Sequence, residues 1–200
     1  PDLTAIAALR PDLVIANKEE NRELDVQRLR ERGIPVWVTD IVDVPGALAS
    51  MRRLFATLTP HAMPGWLAAA ERLWSQPPPG PPRRVAVPIW RDPWMVVGGA
   101  SYTDDLLARL GLVNVFADRP RYPHVDLAEI DRPDVDVVLL PDEPYVFTAE
   151  DGPEAFTSAP TALVSGRLLT WYGPAMVETW RTFADGKALR PSIDRRPGQC

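Results

Sequence analysis

Five aromatic residues with polar or charged neighbours carry the chemistry this sequence could do: Trp90, Trp94, Tyr145, Trp171 and Tyr172. Trp90 and Trp94 bracket Arg91 and Asp92, Tyr145 follows Glu143 in the proline-framed run PDEPYVF, and Trp171 and Tyr172 are adjacent. Aromatic faces hold flat, apolar molecules, and a guanidinium or carboxylate beside them fixes orientation. The competing use is packing of one layer on another. Trp37 lies within an apolar run and reads as core, while Trp66 and Trp74 fall on a helical pattern and read as helix packing. Asn17 and Glu20 are the polar candidates of the first part of the chain. Glu19, Glu20 and Glu23 also have a plain reading as acids near a helix start.

For catalysis the chain offers little. It has no GxSxG, phosphate loop, HExxH or GxGxxG. Gly98-Gly99-Ala100-Ser101 could cradle an anion at a helix start, but two adjacent glycines are a weak signal. With two histidines, His61 and His124, and one cysteine, Cys200, no protein-only metal site is expected, and any metal arrives inside a chelate. No catalytic residue and no intrinsic cofactor are assigned. A hydrolase or chelatase built on Glu20, Glu143 and His124 is the enzymatic alternative. The net charge of -5, with no basic stripe, argues against nucleic acid. No run of about 18 apolar residues is present to span a membrane. The opening PDLTAIAALRPD lacks the basic start and apolar run of a signal peptide.

These residues need elements to place them. Asp2 caps a helix over residues 3–9, which stops before Pro11 because proline disfavours helix in the residue ahead of it. Residues 13–16 read as a buried strand. Residues 17–32 read as a helix with acids near its start and arginines near its end, closed by Gly33. A strand over 35–39 follows, then a helix over 44–58 capped by Asp43, with Leu48, Met51, Leu54 and Phe55 as its apolar positions. A helix over 64–76 and the proline run 77–82 make a stiff connector. Beyond it the pattern predicts strands over 84–90 and 94–97, a helix over 103–110, and a short helix capped by Asp126. A buried strand over 135–140, a weak helix over 148–156, a strand over 161–164 and a last helix over 174–184 complete it. The tail from Pro191 onward reads as polar and loose.

Residues 2–17, DLTAIAALRPDLVIAN, and 126–141, DLAEIDRPDVDVVLLP, share an order: helix, RPD, buried strand, then a glutamate-bearing segment. Alternating strands and helices imply parallel sheets. The fold class read from this is α/β, with two related lobes joined by a single helix. The lobes cover 1–59 and 83–172, the connector 60–82, and a closing helix and tail 173–200. In such sheets ligands lie beyond the carboxyl ends of the strands, where most of the candidate residues fall.

The ordered series is more specific than any one motif. The run PDLTAIAALRPDLVIA with GIPVWV, then VAVPIW, GGASYTDDLLARLG, NVFAD, YPHVDLAEI and PDVDVVLL, resembles the helical-backbone (type III) substrate-binding proteins of cobalamin and iron-siderophore importers. The pair Trp171-Tyr172 resembles the cobalamin-binding members. The resemblance implies two lobes with small hinge motion, and a cobalamin, ferric siderophore or haem-like chelate held between them. It implies a monomer that delivers its ligand to an ABC permease, binding rather than turning over. Family members begin with a further strand, helix and strand, so the first lobe is expected to be incomplete here. Members often carry one permease-docking glutamate per lobe. Glu23 matches in the first lobe, whereas Gly173 stands at the second position. The same scaffold without a transporter, as a cytosolic chelate carrier or sensor, is the other binding alternative. A periplasmic or cell-surface location follows if an upstream signal exists, and a cytoplasmic one otherwise.

Overall fold

The structure is a computed structural model that describes residues 1–191 of the 200. The tail expected to be loose therefore lies outside the described residues, apart from Pro191. The chain divides into two compact units, Pro1–Ile41 and Val42–Cys200.

The first unit contains α1 (Leu3–Ala8), β1 (Val14–Asn17), α2 (Glu23–Glu31) and β2 (Val36–Thr39). Asp2 Oδ1 accepts the N–H groups of Thr4 and Ala5, both at 2.9 Å, and so starts α1. Gly33, at φ +76°, turns the chain out of α2. β1 and β2 pair in parallel from Val14↔Val36 to Asn17↔Thr39. The strand expected to be buried is covered on one face only: Ala16 is buried while Ile15 is 50% exposed, since successive side chains alternate. The helix expected over 17–32 begins only at Glu23. Asn17 breaks its start: its Oδ1 accepts the N–H of Glu19, and its carbonyl accepts those of Glu20 and Asn21.

The second unit opens with α3 (Val44–Leu58) and α4 (Gly65–Trp74). α3, expected in the first lobe, belongs here because it packs on α4 and on α5 (Tyr102–Arg109). Asp43 caps it, and the N–H of Val44 reaches Asp105 of α5 at 2.8 Å. Its buried stripe is Val44, Ala47 and Ser50, while Leu48, Met51, Leu54 and Phe55 are half-buried. Small residues allow the close approach there. α4 was expected as a connector, but it too is packed inside this unit. Leu67 and Ala70 are fully buried, and Trp74 donates to the carbonyl of Met176 at 3.0 Å. That carbonyl lies on α8 (Ala175–Ala184).

The central sheet comprises β3 (Arg83–Ala86), β6 (Leu112–Asn114), β7 (Val137–Pro141) and β8 (Thr161–Val164), all parallel, in the order β6-β3-β7-β8. Every residue of β7 is buried, as suits a strand covered on both faces. The chain leaves β3 for β6 on one side and returns to β7 on the other, so β3 and β7 flank the switch point. The strand expected over 84–90 is two strands. β3 ends at Ala86, and β4 (Pro88–Trp90) turns away to pair antiparallel with β5 (Met95–Val96). Pro88 has no N–H to continue a central ladder. Two short helices, α6 (Leu127–Ile130) and α7 (Gly166–Thr170), precede β7 and α8. The weak helix expected over 148–156 is a single 3-10 turn, Pro153–Ala155. The Thr148 hydroxyl accepts the N–H groups of Glu150 and Asp151, which holds that segment in a turn.

Candidate ligand-binding site

Beyond the carboxyl ends of β3 and β7 lie the turn joining β4 to β5 and the loop 142–156. An aromatic ladder runs there from core to surface. Trp94 stacks on Phe147 with centroids 6.1 Å apart and meets Phe156 edge-on at 5.5 Å. Tyr145 tilts on Phe147 at 4.7 Å, and Trp90 meets Tyr145 edge-on at 5.5 Å. Trp94 and Phe147 are buried, whereas Trp90 is 46% exposed. Trp94, expected at a ligand face, is therefore a core residue, and the ladder presents Trp90 in its place.

Arg91 ties the turn to the loop. Its guanidinium pairs with Asp151, with Glu154 at 2.6 Å and with Asp92 at 3.4 Å, and lies 5.4 Å from the centre of the Trp94 ring. The Glu154 hydrogen bond, ahead of the Coulomb attraction of both acids, raises its pKa against the effect of burial. Asp151 also accepts the Tyr145 hydroxyl at 2.7 Å. That bond, then Arg91, holds the Asp151 carboxyl below its ordinary range, and the same bond pushes the Tyr145 phenol up. Burial would raise Glu154, but Arg91 and the N–H of Gly152 outweigh it and lower it. The charge of Arg91 is thus spent on the protein itself, so it orders the loops rather than presenting a free cation.

Glu143 and Trp171 form a second pair, with the indole N–H donating to Glu143 Oε1 at 2.7 Å. Trp171 is 57% exposed. Tyr172 turns elsewhere, edge-on to Tyr102 of α5 at 5.7 Å. Tyr102 is buried and its hydroxyl has no hydrogen-bond partner among the described residues; burial pushes its pKa up. In the first unit, Asn17 uses its side chain in the turn described above, Glu20 is exposed on that turn rather than in a helix, and Glu23 is the exposed first residue of α2. His61 and His124 are exposed. Among the described residues, no group of three or more His, Cys, Asp or Glu side chains is arranged to hold a metal ion. Nor is any helix there long and apolar enough to cross a membrane.

No family model matches the sequence, and no curated protein matches it. Solved structures do. A periplasmic binding protein from Veillonella parvula superposes with a TM-score of 0.73 at 14% identity, over 96% of this chain and 75% of that one. The periplasmic vitamin B12 binding protein BtuF of Vibrio cholerae does so at 0.66 and 15%, over 92% and 76%. The periplasmic heme-binding protein RhuT from Roseiflexus sp. RS-1 gives 0.67 and 18%, over 92% and 79%.

The chain has the periplasmic binding-protein fold. On that fold the structure brings Trp90, Arg91, Trp94 and Tyr145 into one assembly, and pairs Glu143 of the loop with Trp171 at the end of α7. It leaves Tyr172 with Tyr102. Sequence reasoning missed Phe147, Asp151 and Glu154, which complete the assembly. The signal was present: the run Asp151-Gly152-Pro153 marks a turn rather than a helix.

Proposed function

We propose that this chain binds a bulky, partly flat metal chelate and delivers it to an ABC-type importer, acting in the periplasm or at the cell surface. Cobalamin, a haem-like tetrapyrrole and a ferric siderophore are the ligand classes. The observation that carries the reading is the pair of open tryptophans, Trp90 and Trp171, beyond the strand ends. Tryptophan is usually well buried. Here two are left open in loops on a rigid parallel sheet, where such folds bind their ligands. The fold supports the reading as well, because it is shared with proteins named for binding vitamin B12 and heme. Trp90, Tyr145 and Trp171 supply aromatic area at low entropy cost, while Arg91 keeps the ladder in place. Tyr172 is assigned as a further contact, and Glu23 as a residue that docks on the permease.

Titration of the protein with cobalamin, haem and several ferric siderophores tests this, read by tryptophan quenching and the visible spectrum. One ligand should bind with a Kd of about 1 μM or tighter, and Trp90→Ala or Trp171→Ala should weaken it roughly thirtyfold, the usual loss for an anchor of about 2 kcal/mol. Failure of every chelate to bind would refute the proposal.

A further inference from the structure

We propose that Glu143 is a positioning residue, whose carboxylate holds the Trp171 indole in one orientation so that this aromatic face is set before the ligand arrives. The proposal rests on the chelate-binding reading above. Trp171 closes α7 and is 57% exposed, so packing alone selects its rotamer poorly. The hydrogen bond from its ring N–H to Glu143 Oε1, 2.7 Å long, supplies the missing constraint. It is charge-assisted and therefore stronger than a neutral one.

Glu143 is itself held. Gly166 opens α7, and a Cβ at that position would overlap Glu143 Cγ and come within 2.8 Å of the Glu143 carbonyl oxygen. Only glycine lets the two segments meet so closely. The N–H of Gly166 donates to Asp142 Oδ1 at 2.6 Å, and the N–H of Asp142 donates to the Val164 carbonyl at 3.2 Å. Residues 142 and 143 therefore rest on the first turn of α7, and the Glu143 side chain reaches the residue that ends it. Two residues further along the same loop, Tyr145 meets Trp90. One loop thus orients both open tryptophans. Glu143 acts through Trp171 and not by bonding the ligand.

Fixing a side chain in advance removes an ordering cost from binding, and its loss lowers affinity about two- to tenfold. The test uses Glu143→Ala and Glu143→Gln, each alone and in a Trp171→Phe background. The Trp171 indole N–H resonance is the one that disappears from the spectrum of Trp171→Phe. In ligand-free protein it should shift and exchange faster with water in Glu143→Ala. It should return most of the way in Glu143→Gln, whose amide oxygen still accepts. With cobalamin, haem and ferric siderophores as probes, Glu143→Ala should lose about two- to tenfold in affinity. It should lose nothing further once Trp171 is Phe, which has no N–H to hold. An unchanged indole resonance in Glu143→Ala overturns the proposal without any ligand. Equal losses in both backgrounds also overturn it, because Glu143 would then contact the ligand directly. Absence of chelate binding by the unmodified protein removes the functional reading, while the resonance still decides the positioning.

Discussion

Replacing Arg91 by Met keeps the stem of the side chain and removes the charge that joins the β4–β5 turn to the loop at 151–154. The Arg91 side chain is 18% exposed, while the Glu154 side chain it pairs with is 48% exposed. A pair open on one side sits near the surface end of the range, about 0.5–1 kcal/mol after solvent screening. The contact with the Trp94 face adds about 0.5–1 kcal/mol. The expected loss is therefore about 1.5 kcal/mol at pH 7, which for a domain of this size lowers Tm by about 3–6 °C. Asp151 adds a sign rather than a magnitude: without Arg91 it stands near Glu154 as a like charge. Both carboxyls are held below their ordinary pKa in the folded protein. Their contribution is thus full above about pH 4, the unfolded value, and is lost as pH falls through the lower folded values. Urea unfolding of the native and Arg91→Met proteins at pH 7 and near pH 3 reads both effects. A variant as stable as the native protein at pH 7, or a gap that stays the same near pH 3, would refute the reasoning.

Two further perturbations follow from single contacts. The Asp131 carboxylate accepts the N–H groups of Thr157, Ser158 and Ala159 and the Thr157 hydroxyl, each at 2.8 Å; burial raises its pKa, but these donors outweigh it and lower it. Most of them face water, so Asp131→Ala should cost only about 1–2 kcal/mol after screening, a cost present at pH 7 and fading below about pH 4; denaturant titration across that range checks it. At Gly99 a Cβ would overlap the Ala117 carbonyl oxygen, where the chain exchanges hydrogen bonds with Arg119 and Arg121 at 2.7 and 2.8 Å. Gly99→Ala should cost about 3 kcal/mol, and a melting curve matching the native one would count against that close approach.

Much of the element order could be read from local chemistry. Asp2 and Asp43 announce helix starts with their carboxylates, and Gly33 and Gly111 announce helix ends at positive φ. The fully buried β7 is a continuous apolar run that needs no partner to be recognised. The misread element boundaries share one cause: a side chain or proline that redirects the backbone without altering the apolar pattern. Asn17 converts a helical start into a turn, Thr148 does the same for 148–156, and Pro88 moves half an apolar run into another sheet. The placing of the candidate residues was legible as far as their position after strands decides it. Trp90 and Tyr145 follow strands and do meet. Which of Trp90 and Trp94 points inward was not legible, because that depends on Phe147 and Phe156, more than fifty residues later in the chain. Nor did the sequence reveal that Arg91 is neutralised within the protein, since its partners lay in a segment read as helix.

The bond from Trp74 to the Met176 carbonyl joins residues 102 positions apart, and Trp74 meets Trp180 edge-on at 5.2 Å. The stripe Leu67, Ala70 and Trp74 on α4 is covered by α8, about a hundred residues later in the chain. Until α8 is in place, the early part of the second unit holds an apolar surface with no lid, so its closure is a long-range event. Any change that loosens α8 therefore uncovers the α4 stripe and turns a core face into an aggregation surface.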